Sequence, residues 1–156
     1  METINKIFKK YRGFLFLPAI FIVGFFLFNY LPKNINIEDI QYVKISGQKI
    51  KVDLALTSET RARGLSGRAI LKGDEGMLFV FDKINKYKFW MKDMNFPIDI
   101  IWIDENQKVV YIQKNATPES YPETFGGEQD SKYVLEVVSG FSEKSGLKEG
   151  DKVSFE

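Results

Sequence analysis

The chain has 156 residues, 44% hydrophobic and 28% charged, which suits one compact domain with an accessory segment and excludes a chain disordered throughout. Its formal charge is +1, with Lys6, Lys9, Lys10 and Arg12 gathered before residue 13; beyond residue 32, 18 basic residues stand against 20 acidic ones, which gives no support for nucleic-acid binding. There is no cysteine and no histidine, so disulfides, thiol nucleophiles, histidine bases and the usual structural zinc sites are excluded.

In chain order, a basic segment at 1–12 precedes "GFLFLPAIFIVGFFLFNYL" at 13–31, which carries no charge over 19 residues, about the length that crosses a hydrocarbon core. A single transmembrane helix is expected. Pro18 and Gly24 are better tolerated in lipid than in water, and Asn29 and Tyr30 mark the far interface. A cleaved signal peptide is the competing reading; the long apolar run and the lack of a small-residue pair before "NYLPKN" oppose it. The positive-inside rule keeps residues 1–12 in the cytoplasm and puts the C-terminal domain outside a single-pass cell-membrane anchor. Residues 32–39 form a polar linker, and the exported domain occupies 40–156.

That domain reads as all-β. "IQYVKI" and "KIKVDLALT" flank an "SG" turn, and Ile50, Val52, Leu54 and Leu56 alternate with polar residues as in a strand with one wet face. "SETRARG", with Ser58 as cap and Gly64 as terminator, is the one clear short helix. Strands follow at "GMLFVF", "KFWMKDM", "PIDIIWID", "KVVYIQ", "YVLEVV" and "KVSF", with a further turn of helix in "SEKSGLKEGD". Close-spaced strands with little helix predict a compact antiparallel sandwich or small barrel. Residues 114–132 form an irregular stretch of 19 residues, longer than an ordinary connection; its Tyr121 and Phe125 favour a binding loop. It holds an Asn115-Ala116-Thr117 sequon, a short pattern that recurs by chance.

Two acids stand where strands look buried on both faces. Asp99 shares a face with Ile101 and Ile103, and Glu136 lies between Val134 and Val138. An ionised carboxylate in such a place needs a partner; Arg61, Arg63, Arg68 and Lys92 are the candidates. Internal ion pairs that fix loops are the bland interpretation. The functional one gathers strand ends, the arginine turn and the long loop around a polar-floored pocket. There Trp90, Tyr121 and Phe125 offer flat apolar surfaces, and Asp99 and Glu136 orient hydroxyl or amine groups. No EF-hand-like spacing of oxygen ligands is present, so neither a metal nor a cofactor is expected.

These residues fall into an ordered set, "SETRARGL" and "GR", "GMLFVF", "FWMKDMNFPIDIIWID", "YVLEVVSG" and "GLKEGDKV", that resembles the domain of unknown function 192 family over about residues 42–156. By that resemblance the signature positions are Arg61, Gly64, Arg68, Gly76, Met77, Phe79, Trp90, Met91, Pro97, Asp99, Tyr133, Glu136 and Gly140. It implies a mostly antiparallel β domain of jelly-roll-like character, often exported or tethered, with no established activity. The chain departs from the family pattern in "WMKDM", where Trp-Met-Lys-Asn-Thr is common, and at Ser66, where a methionine usually follows "GL". Asp93 is therefore a poor candidate for a shared catalytic group.

Three functions fit. The first is a membrane-tethered extracytoplasmic binding or accessory module for a small polar or glycan-like ligand, or an envelope protein, near Trp90, Asp99 and Glu136. The second is a carboxylate-based hydrolase with Asp99 or Glu136 as general acid or base. The third is an interaction domain in which acids and arginines are purely structural staples.

Overall fold

Alternating side chains build most of the domain. In the computed structural model, which describes residues 36–156, β1 (Tyr42–Ile45) and β2 (Gln48–Ala55) form a hairpin whose turn, Ser46–Gly47, has positive φ at both residues. Ile50 and Val52 point into the core while Lys51 and Asp53 face water. The expected membrane helix at 13–31 lies outside the described residues, among which no helix is long and apolar enough to cross a membrane.

Helix α1 (Ser58–Arg63) is capped one residue before the expected position. Thr57 and Thr60 satisfy each other's backbone N–H groups in a capping box, so the threonine rather than Ser58 closes the end. The remaining elements are β3 (Glu75–Asn85), β4 (Lys88–Trp90), β5 (Ile98–Ile103), β6 (Val109–Ala116), β7 (Thr124–Gly126), β8 (Ser131–Val138), α2 (Phe141–Lys144) and β9 (Val153–Phe155).

Seven strands make one sheet in the order β6-β5-β8-β3-β2-β1-β9, and β4 pairs with β7 in a separate ribbon. The sheet curls like half a barrel, and its two edges touch at one end, where Lys108 bridges Lys152 and Val153 donates to the Gln107 carbonyl at 2.8 Å. The all-β class therefore holds. One pairing departs from the expected antiparallel arrangement, because β2 and β3 run parallel. Parallel neighbours need a long crossover, and residues 56–74 with α1 provide it.

Hydrophobic side chains separate into two clusters. Residues from all seven strands, among them Val43, Ile50, Leu78, Ile101, Leu135 and Val153, fill the inside of the curl. The other face of the central strands, with Met77, Phe79, Ile100, Trp102 and Val134, is covered by Leu65, Leu71 and Met91 and by Phe89 and Phe125 of the ribbon. Both faces are dry, which explains why β5 is buried at every position.

Two strand assignments change. The expected strand at 88–94 ends at Trp90, because Asp93 takes a positive φ of 55° and turns the chain. The long irregular stretch carries β7, which pairs Phe125 with Phe89. The indole N–H of Trp102 donates to the Tyr87 carbonyl at 2.9 Å and ties the start of the ribbon to the sheet. Gly126 packs against the Trp102 ring so closely that a Cβ there would collide with it.

Candidate functional site

Asp99 finds its partner in backbone rather than in arginine. Its Oδ1 accepts from the N–H groups of Asn115 at 2.9 Å and Gly140 at 3.2 Å, and its Oδ2 accepts from Ser142 at 2.8 Å. Gly140 and Ser142 belong to the start of α2, whose free N–H groups have no carbonyl of their own. The carboxylate is fully buried and caps that helix from a neighbouring strand. It points to the same side as its register partner Val137. Among the described residues no arginine or lysine forms a salt bridge with Asp99 or Glu136, so the expected ion pairs are replaced by other surroundings.

Glu136 faces the other way. Its register partners are Met77 on β3 and Ile100 on β5, both in the second cluster. The residue is 4% exposed, and Oε2 has no hydrogen-bond partner. Burial raises its carboxyl to about 8, with the charge of Arg68 opposing the rise only in part. At neutral pH Glu136 is therefore mostly a neutral acid with a proton to donate.

Above Glu136 the chain turns at Gly64, the C-cap of α1, with φ of 52°. A Cβ there would lie 3.3 Å from Phe79 Cζ and 3.8 Å from Glu136 Oε2, so the backbone angle favours a glycine and a side chain would press on Phe79. Between this turn and the ribbon lies a cavity of about 270 Å³ with Glu136 on its wall. Phe79, Phe81, Tyr87, Phe89 and Trp90 supply its aromatic sides, Ser66 and Met94 also line it, and Arg61, Arg63 and Lys88 supply the cations. Phe81 and Tyr87 stack with centroids 3.5 Å apart and planes inclined by 12°. Burial raises the Tyr87 hydroxyl above its usual range.

Arg61 braces this wall. Its Nη1 donates to the carbonyls of Leu56 at 2.6 Å and Val80 at 2.8 Å, and the guanidinium lies 5.2 Å from the Phe81 centroid.

The sequence-derived candidates divide accordingly. Arg61, Arg63, Trp90 and Glu136 line one cavity. Tyr121 meets Trp90 edge-to-face at 6.1 Å, and Phe125 packs in the cluster beneath. Arg68 lies on the opposite side of the 63–68 turn, bonded to Asp53 at 2.7 Å, and the exposed Lys92 contributes only its carbonyl, to Ser66 Oγ at 2.8 Å. Asp99 is on the other face of the sheet. The expectation that Asp99 and Glu136 address a common volume is therefore corrected: neighbouring strands carry them, but alternation sends them apart.

Sequence reasoning missed Phe81, Tyr87 and Lys88. The available signal was aromatic density, with Phe79, Phe81, Tyr87, Phe89 and Trp90 falling within twelve residues. Among the described residues no group of three acidic side chains is placed to hold a metal ion.

The family model of DUF192, described as an uncharacterised ACR, matches residues 41–155. The chain belongs to the DUF192 family. The solved structures that resemble it include two crystal structures. One, of a candidate transcription regulator from Sinorhizobium meliloti 1021, is 29% identical with a TM-score of 0.69, covering 73% of this chain and 92% of that one. The other, of a protein of unknown function from Novosphingobium aromaticivorans DSM 12444, is 31% identical with a TM-score of 0.69, covering 80% of this chain and 94% of that one. No curated protein matches the chain. The DUF192 assignment thus agrees with the resemblance drawn from the ordered motifs, and both neighbours share the fold over almost their whole length.

Proposed function

We propose that this DUF192 chain is a membrane-tethered, extracytoplasmic binding module whose cavity beneath the Gly64 turn takes a small polar or glycan-like ligand. The tether is residues 13–31, supported by their uncharged length and by the basic residues before them. One observation carries the ligand reading: Glu136, whose carboxyl has a buried Oε2 without a partner, lines an aromatic-sided cavity. A carboxyl without hydrogen-bond partners costs free energy, and a hydroxyl or carbonyl bound at the cavity wall would give it one while the ring faces hold the ligand's apolar side.

A two-carboxylate hydrolase fits less well, because among the described residues Glu136 is the only acid on the cavity wall and Asp99 is used by α2. The regulator description of the Sinorhizobium meliloti neighbour is not carried over, since acidic residues outnumber basic ones beyond residue 32.

The test is a ligand-observed NMR screen of the full chain in detergent micelles against cell-wall sugars and short peptides. At least one compound should give saturation transfer that Trp90→Ala and Glu136→Leu weaken. A response from none of them, in a protein shown to be folded, would remove the binding reading.

A further inference from the structure

The cations around the cavity are unequally occupied. Arg63 is paired with Glu59 at 3.1 Å, whereas among the described residues neither Arg61 nor Lys88 has a carboxylate within 4.0 Å. Arg61 uses Nη1 for two carbonyls, and its other guanidinium donors have no partner among the described residues. The Lys88 stem lies flat against Gly127, so close that a Cβ there would come within 2.6 Å of Lys88 Cε. With φ of 87° at this glycine, the backbone makes room for the lysine stem.

Opposite charge is missing from the wall itself. The one acid lining it among the described residues, Glu136, is largely protonated at neutral pH. A cationic ligand would meet two unanswered positive groups, and a neutral ligand would leave them unanswered. An anion would satisfy them through charge-assisted hydrogen bonds.

We propose, building on the binding reading above, that the cavity selects a hydroxy acid of monosaccharide size. Its carboxylate is held by Arg61 and Lys88, its ring face lies on the aromatic wall, and one of its oxygens bonds the Glu136 carboxyl where it lines the cavity. The deepest polar group then recognises a hydroxyl or carbonyl, and the cations read the charge.

Isothermal titration of the full chain in detergent with glucuronate, glucose and glucosamine tests this at neutral pH and physiological ionic strength. Glucuronate should bind about tenfold more tightly than glucose, a difference of about 1.4 kcal/mol, and glucosamine should bind most weakly. In Lys88→Gln, an exposed position whose folding is checked by circular dichroism, most of the preference for the acid should vanish. Equal affinity for glucose and glucuronate, a preference for glucosamine, or an unchanged preference in Lys88→Gln overturns the hydroxy-acid assignment and leaves the binding reading standing. If none of the three binds and the wider NMR screen is also silent, both fall.

Discussion

Asp99 and Glu136 sit on adjacent strands, β5 and β8, with their side chains on opposite faces of one sheet. Asp99 accepts three backbone N–H groups, while Glu136 Oε2 accepts none. Two acids that look alike in sequence thus hold different positions, one closing a helix end and one buried in the wall of a cavity.

Asp99→Asn is expected to destabilise the domain by roughly 2–4 kcal/mol. An amide nitrogen would meet one of the N–H donors now bound, and the charge that strengthens the bonds would be gone. Urea unfolding of the full chain in detergent measures it; a loss under about 0.5 kcal/mol would contradict the capping role.

Glu136 makes stability fall as pH rises. Its carboxyl titrates at about 8 in the folded protein and at the ordinary 4.5 in the unfolded chain, so below 4.5 both forms are protonated and its contribution is complete. Between 4.5 and about 8 the unfolded chain releases the proton first and the contribution is lost, on the order of 5 kcal/mol in full. Arg68 limits the rise, and Arg61 and Arg63 border the same cavity. Glu136→Gln should remove this slope, which a pH series of unfolding curves for the two proteins reads as their difference. Parallel curves would show that Glu136 does not titrate in that window.

Gly64→Ala should cost about 1–3 kcal/mol, because the positive φ strains an alanine and its methyl group presses on Phe79. The same methyl would narrow the cavity above Glu136, so any ligand response should weaken along with the melting temperature. An unchanged melting temperature would count against the close approach.

Arg61→Met should lower stability by roughly 2–3 kcal/mol, since two carbonyls lose their donor, one of them on β3. Recovery by lysine should be partial, as a single ammonium lacks the planar fork. Equal stability of Arg61→Met and the parent protein would mean that water replaces the guanidinium without loss.

Trp90→Ala should behave differently from all of these. The side chain is 51% exposed, so unfolding should shift by no more than about 0.5 kcal/mol, while ligand contact should fall. A large stability loss would assign Trp90 to the core instead.

By itself the sequence determined most of the strand positions, the short helix, the family and the fact that Asp99 required a partner. These depend on local periodicity, caps and ordered motifs, as in Ile50 and Val52 alternating with Lys51 and Asp53. Only the tertiary structure decided what the partner is, because Asn115, Gly140 and Ser142 reach Asp99 from 16 to 43 residues away. It also decided that Glu136 opens to a cavity. That cavity forms where β8 lies between β3 and β5, beneath the Gly64 turn and beside a ribbon whose second strand comes from a stretch that reads as loop. Strand order and face are set by long-range pairing, and alternation alone says which residues share a face but not which face meets the cavity.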